Sequence, residues 1–277
     1  MTKVLITGAA GFVGRHVLDA LKRDKIDTKA VIRSQCNSLN FEKSGNLNIV
    51  YTDNIFLESV EWWKNVCTDV DIVIHIAWYA EPGKYLDSEE NIDCLSGTIN
   101  LAKGAASAGV KKFVGIGSCF EYDLTGGLIS EKTPLKPLTL YAATKVSAYL
   151  TLFEYFKNTS IDFSWCRLFY LYGEGENDKR LVPYIRKKLS SNEYVEMTNG
   201  TQIRDYLDVK IAAKMIVNVA FGKKIGGINI CSGVPITIRS FAESIADEFG
   251  KRHLLKFGAR EDNITDPPFV VGERIDL

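Results

Sequence analysis

The stretch TLYAATK places Tyr141 and Lys145 four residues apart at the start of a long helical pattern. At that spacing the two side chains share one helix face, one turn apart. A free tyrosine has a pKa of about 10, and a neighbouring ammonium favours its phenolate. Such a pair can therefore pass a proton to an oxygen that is gaining charge. Many helices carry a Tyr and a Lys at this spacing and do no chemistry. Here a third residue joins them: Ser118, in GIGSCFEY, stands just past a strand pattern. Its hydroxyl can hydrogen-bond a carbonyl oxygen as charge develops there.

These residues need a scaffold that brings a strand end and a helix start together. Short apolar runs at 3–7, 29–32, 48–52, 71–77, 112–117 and 163–168 alternate with longer helical patterns such as GTINLAKGAASAG and YAATKVSAYLTLFEYF. Runs of four to seven apolar residues separated by helices are what a parallel sheet covered on both faces requires. The pattern predicts an α/β fold, a doubly wound parallel Rossmann sheet with a smaller C-terminal substrate-binding lobe. The sheet domain is expected over 1–167 with about 203–222. The lobe is expected over 168–202 and 223–277, with a helix over 182–190, a short strand at YVEMT, and INICSG on the substrate side.

At the junction of the first strand and first helix, VLITGAAGFVGRHVLDAL carries Gly8, Gly11 and Gly14. Glycines there allow a tight turn and close approach of backbone to phosphate, and the helix N-terminus adds amides and partial positive charge. This is a dinucleotide-binding loop, with Phe12 and Val13 inside it.

The G-x-x-G-x-x-G spacing together with YAATK resembles the extended short-chain dehydrogenase/reductase family of sugar-nucleotide epimerases, dehydratases and ketoreductases. DIVIHIA, NIDCLSGTINL, GIGSCFEY, RLFYLYG and GTQIRDYLDV extend the resemblance over nearly the whole chain. It implies that Tyr141 is the general acid and that Lys145 also holds the nicotinamide ribose. It implies further that Ser118, four residues before Tyr122, clamps the carbonyl, and that Asn91 is the proton-relay asparagine. Asp53 should accept from the adenine amino group, with Asn54 beside it. Ala77 and Trp78, then Leu168 and Phe169, should line the cofactor. On the substrate side the resemblance points to Ser118, Cys119, Tyr170, Arg180, Leu181 and Arg204, with Arg204 reaching a diphosphate. Glu121 is placed to orient a sugar hydroxyl. Arg180 and Tyr170 stand where the family carries asparagines. Relatives often pair as homodimers through a four-helix interface, here GTINLAKGAASAG and YAATKVSAYLTLFEYF.

An acid at the end of the second strand would grip both ribose hydroxyls of NAD. This chain reads AVIRS there, with Arg33 and Ser34. A guanidinium suits a 2′-phosphate by charge and bidentate geometry, so NADP is expected, with NAD as the alternative. Family dehydratases carry an Asp-Glu pair where this chain has Cys119 and Phe120, which disfavours dehydration. The reading is NADPH-dependent reduction of the 4-keto group of a nucleotide-activated 6-deoxyhexulose (dTDP-, CDP- or GDP-linked), as in bacterial surface-sugar synthesis. A 4-epimerase with bound NAD is the first alternative. A non-catalytic NADP-binding regulator is the second.

Composition agrees with small ligands. Lys plus Arg and Asp plus Glu each total 34 in 277 residues, without the basic excess of a nucleic-acid or membrane-surface protein. The six cysteines (36, 67, 94, 119, 166, 231) form no C-x-x-C pair, and His16, His75 and His253 stand far apart. A cytoplasmic protein without a metal site is expected, its His75 packed in the sheet.

Overall fold

The computed structural model describes residues 2–34, 45–263 and 266–276. The first two thirds run β1 (Lys3–Thr7), α1 (Phe12–Arg23), β2 (Asp27–Arg33), β3 (Leu47–Thr52), α2 (Val60–Val66), β4 (Ile72–His75), α3 (Glu90–Ala108), β5 (Lys112–Ser118), α4 (Leu140–Lys157) and β6 (Asp162–Leu168). There follow β7 (Tyr170–Tyr172), α5 (Leu181–Ser190), β8 (Val195–Met197), β9 (Ile203–Arg204), β10 (Tyr206–Asp208), α6 (Val209–Phe221), β11 (Gly226–Ile230), β12 (Ile236–Thr237), α7 (Ile238–Glu248), β13 (Leu255–Phe257) and β14 (Phe269–Val270). The doubly wound parallel sheet expected from the sequence is present, in the order β11-β6-β5-β4-β1-β2-β3 with every pair parallel. Strand order reverses between β1 and β4, and the crevice beyond their carboxyl ends is where such sheets bind ligands.

Alternation along each strand feeds two cores. Val4 and Ile6, Ile72 and Ile74, Val114 and Ile116 face α1 and α6. Leu5, Val73, Phe113, Phe163 and Trp165 face α2, α3 and α4. A third core joins α5 and α7 to β8 and β13 through Ile185, Leu189, Val195, Phe241 and Ile245. His75 ties the first layers together: its ring nitrogens lie 2.8 Å from the Thr7 and Thr98 hydroxyls. Burial drives it down to about 3, so it is a neutral structural imidazole, as its place in the sheet led us to expect.

One strand departs from the sequence reading. INICSG was expected on the substrate side, yet β11 pairs with β6 at the edge of the main sheet. Ile228, Asn229 and Ile230 are all buried, and a strand buried on both faces belongs in the sheet. Conversely β9 and β10 pair outside it, with β12, β14 and β7.

Candidate active site

A cavity of about 1790 Å³ opens along the carboxyl ends of β1 to β6 and reaches β8, β9 and the start of α5. A pocket for one small ligand measures roughly 300–1,000 Å³, so this one has room for a dinucleotide and a second ligand together.

Its first half is built by the glycine loop. Gly8 has φ +72°, and a Cβ there would stand 2.7 Å from the Ala77 amide nitrogen. A Cβ on Gly14 would fall 2.0 Å from the Gly8 carbonyl oxygen. Only glycine permits this close approach of α1 to β1 and β4. Gly11 caps α1 without a side chain, which leaves the first-turn amides free for phosphate oxygens. Gly8, Gly11, Phe12, Val13 and Gly14 line the cavity, as do Arg33, Asp53, Asn54, Ala77, Trp78, Leu168 and Phe169. Ser34 does not. These features fit a dinucleotide.

Tyr141 and Lys145 enter from the first two turns of α4, which Thr139 caps by accepting from the Ala142 amide at 3.2 Å. Lys145 is 2% exposed. Its ammonium donates to the Ile116 carbonyl at 2.5 Å and stands 3.6 Å from the centroid of the Trp78 ring. Desolvation lowers Lys145 to about 7, against a counter-pull from Glu121. Burial likewise pushes the Tyr141 phenol upward, with Tyr85 and Glu121 adding to it and Ser118 opposing. Burial thus outweighs the lowering that the lysine's proximity led us to expect. In the ligand-free protein Tyr141 is a protonated acid, the form needed to protonate an alkoxide. Its ring meets the edge of Tyr85 at 4.9 Å and 88°.

Ser118 ends β5 and caps a short 3-10 turn: its hydroxyl accepts from the Phe120 amide at 3.2 Å, and its own amide donates to Glu121 at 2.8 Å. A hydroxyl oriented as an acceptor there keeps its proton available to the cavity. Cys119 lines the cavity too, but burial holds its thiol at about 12, so it is no nucleophile.

Besides Ser34, two expected site residues do not line the cavity. Glu121 was expected to orient a sugar hydroxyl; it is fully buried and away from the cavity. Its carboxylate accepts from Arg167 Nε at 2.6 Å and from Trp165 Nε1 at 3.0 and 3.1 Å. Arg167 in turn donates to the Tyr122 hydroxyl at 3.1 Å, which donates to Asn229 at 2.8 Å. An unpaired carboxylate could not be buried so deeply, and Arg167 supplies its partner. Asn91, expected as a proton relay, is also fully buried and does not line the cavity. Its amide donates to the Tyr85 and Ser88 carbonyls at 2.6 and 2.8 Å, and its oxygen accepts from Trp78 Nε1 at 2.9 Å. Both of its donor hydrogens are occupied.

Tyr170, Arg180, Leu181 and Arg204 line the far half. Arg204 is 1% exposed, 2.6 Å from the Asp266 carboxylate, with its guanidinium 5.3 Å from the Tyr170 ring centroid. Its neighbour Asp205 points the other way and binds the Ser232 and Gly233 amides at 2.7 and 2.9 Å. Arg180 lies 5.5 Å from the Tyr85 centroid.

Among the lining residues that carry no sequence signal are Tyr85, Glu176 and Asp266. Glu176 is pushed up to about 7, chiefly by burial, and its Oε2 has no hydrogen-bond partner among the described residues. Each comes from a connection between motifs, where residue type alone does not mark a site. The described residues hold no group of three or more His, Cys, Asp or Glu that could bind a metal ion, and no helix long and apolar enough to cross a membrane.

The chain is 24% identical over 255 residues to the dTDP-6-deoxy-L-talose 4-dehydrogenase (NAD(+)) of Aggregatibacter actinomycetemcomitans, covering 91% of each chain. It is 24% identical to the CDP-abequose synthase of Salmonella typhimurium, covering 99% of this chain and 90% of that one. Among solved structures, the UDP-N-acetylglucosamine 4-epimerase of Methanobrevibacter ruminantium superposes with a TM-score of 0.85 at 24% identity, over 98% of this chain and 89% of that one. That likeness concerns the fold. A profile described as the NAD dependent epimerase/dehydratase family matches residues 4–230. On that match, which spans the glycine loop, Ser118, Tyr141 and Lys145, the chain belongs to the NAD dependent epimerase/dehydratase family and is an enzyme of that family.

Proposed function

We propose that the protein uses NADPH to reduce the 4-keto group of a nucleotide-activated 6-deoxyhexulose. The observation that carries this is Arg33: at the end of β2 it stands exposed on the cavity wall and makes no ion pair among the described residues. A free guanidinium suits a 2′-phosphate. A 2′-phosphorylated cofactor in turn favours net reduction with exchange over an epimerase's retained NAD. The names of relatives acting on dTDP- and CDP-linked sugars support the substrate class.

Gly8, Gly11, Phe12, Val13 and Gly14 would hold the cofactor, which when bound would supply the hydride for the ketone carbon. Ser118 donates a hydrogen bond to the carbonyl oxygen as negative charge grows on it. Tyr141 then delivers the balancing proton to that oxygen, so the C=O bond becomes CH–OH. Lys145, fixed by the Ile116 carbonyl and Trp78, would hold the nicotinamide ribose and so orient the cofactor toward the ketone. Arg204 exchanges Asp266 for the substrate diphosphate. No second acid flanks Ser118, because Cys119 is a neutral thiol and Glu121 is consumed by Arg167; this argues against dehydration.

Arg33→Ala is expected to weaken NADPH binding about 10- to 100-fold, the worth of charge-assisted hydrogen bonds to a phosphate, and to leave NADH binding unchanged. Titration of both cofactors against parent and variant checks this. Equal or tighter NADH binding by the parent would return the reading to a 4-epimerase. Exposed Ile92 on α3 and Leu150 and Tyr155 on α4 support a homodimer through those helices. Cys67, Cys94, Cys119, Cys166 and Cys231 are buried free thiols, which suits a reducing cytoplasm; Cys36 lies outside the described residues.

A further inference from the structure

We propose that Asn91 is a positioning residue that sets the catalytic Tyr141 and Lys145 together, acting through two aromatic rings instead of passing protons. The inference rests on the catalytic assignment above.

Each member of the pair has one ring as its nearest aromatic neighbour outside the pair. Lys145 lies 3.6 Å from the centroid of Trp78, and Tyr141 meets Tyr85 edge to face at 4.9 Å. The position of both rings traces back to one amide. The Asn91 oxygen accepts the Trp78 indole N–H at 2.9 Å, and its nitrogen donates to the backbone carbonyl of Tyr85 at 2.6 Å. A second donor bond, to Ser88 at 2.8 Å, closes the turn that carries Tyr85 into α3. The adjacent Leu86 carbonyl accepts from the Tyr141 amide at 2.8 Å, so the same turn also grips the start of α4. An asparagine suits this task because one planar group presents an acceptor on one side and two donors on the other. A relay needs a donor free to rotate toward the reacting centre, and both hydrogens here are spent on carbonyls.

The titratable groups around Lys145 do not compete for this role. Cys94 is a neutral thiol, raised to about 11 by burial; His75 is neutral at about 3; and Glu121 acts from behind Trp165, already paired with Arg167. What keeps the ammonium facing the cavity is the Trp78 face and the Ile116 carbonyl. If Trp78 loses its hydrogen bond, the indole is free to turn, and a displacement of about 1 Å at a reacting group costs about 10² in rate.

The test labels the four tryptophans with 5-fluorotryptophan and follows the ¹⁹F resonance of Trp78 with pH in the ligand-free protein. Trp78→Phe assigns the resonance. In the parent it should be displaced as Lys145 titrates near neutrality, and Lys145→Met should abolish the displacement. Asn91→Leu should lose most of that displacement while the other three resonances stay in place. In turnover, Asn91→Leu and Trp78→Phe should each lose about 10²-fold, and the double variant should lose no more than the worse single, because both break one link. A parent-like displacement in Asn91→Leu, or losses that multiply, overturns the inference. Should Asn91→Leu not fold, Trp78→Phe removes the same hydrogen bond from the other side, and parent-like turnover there is decisive against it. The fluorine signal needs neither cofactor nor sugar, so it stands or falls separately from the reductase reading.

Discussion

Replacing Tyr141 with Phe is expected to lower turnover by about 10²–10⁴-fold, the usual worth of a general acid, while NADPH binding stays close to that of the parent. The variant removes one oxygen and keeps the ring, so the edge contact with Tyr85 and the α4 backbone bond to Leu86 survive. Lys145, Trp78 and the glycine loop are untouched, which is why binding should hold. The direction of the Tyr141 shift matters as well. Burial keeps the phenol protonated, and only a protonated phenol can complete a reduction. Steady-state rates at saturating cofactor and sugar, with NADPH titrated separately, separate the two effects. Turnover within a few-fold of the parent would remove Tyr141 from the mechanism.

The second large effect lies behind the site. Arg167→Met should destabilise the protein by about 3–5 kcal/mol, because it leaves the Glu121 carboxylate buried and uncompensated. At about 2–4 °C per kcal/mol for a chain of this size, melting should fall by roughly 6–20 °C. The Glu121→Leu/Arg167→Met double variant should be more stable than Arg167→Met alone, since an apolar pair removes the orphaned charge. Glu121 also fixes the Ser118 amide at 2.8 Å, so the double variant should recover stability without recovering full turnover. Chemical denaturation of the three proteins checks the order. A double variant less stable than Arg167→Met would show that the carboxylate is not what the arginine compensates.

The parts of this site that are legible in sequence are those where backbone geometry or chemistry leaves one residue type. Gly8 and Gly14 are readable because no Cβ fits there. Tyr141, Lys145 and Ser118 are readable because a helix start and a strand end fix their spacing to the glycine loop. The central sheet is readable because each strand alternates between two cores. Residues that act through tertiary partners are not legible in this way. Glu121 is polar, near Ser118 and in the right loop, and nothing local marks that Arg167, 46 positions on, takes its charge. The same holds for Asn91, whose partners Trp78 and Tyr85 come from the loop before it. Tyr85, Glu176 and Asp266 reach the cavity from connections whose course is set by the cores beneath them. Strand β11 is not legible in this way, because its two glycines and three buried residues are too short a pattern to reveal both faces.

The central claim is net reduction at C4, and transfer of deuterium tests it most directly. NADPH deuterated at the nicotinamide C4 is supplied with 4-keto-6-deoxyhexuloses linked to dTDP, CDP and GDP. With at least one of them, one deuterium should appear at the sugar's C4 for each NADPH oxidised. Oxidation of no NADPH across the panel, or inversion at C4 of the matching 4-hydroxy sugars with no net use of cofactor, would contradict the account.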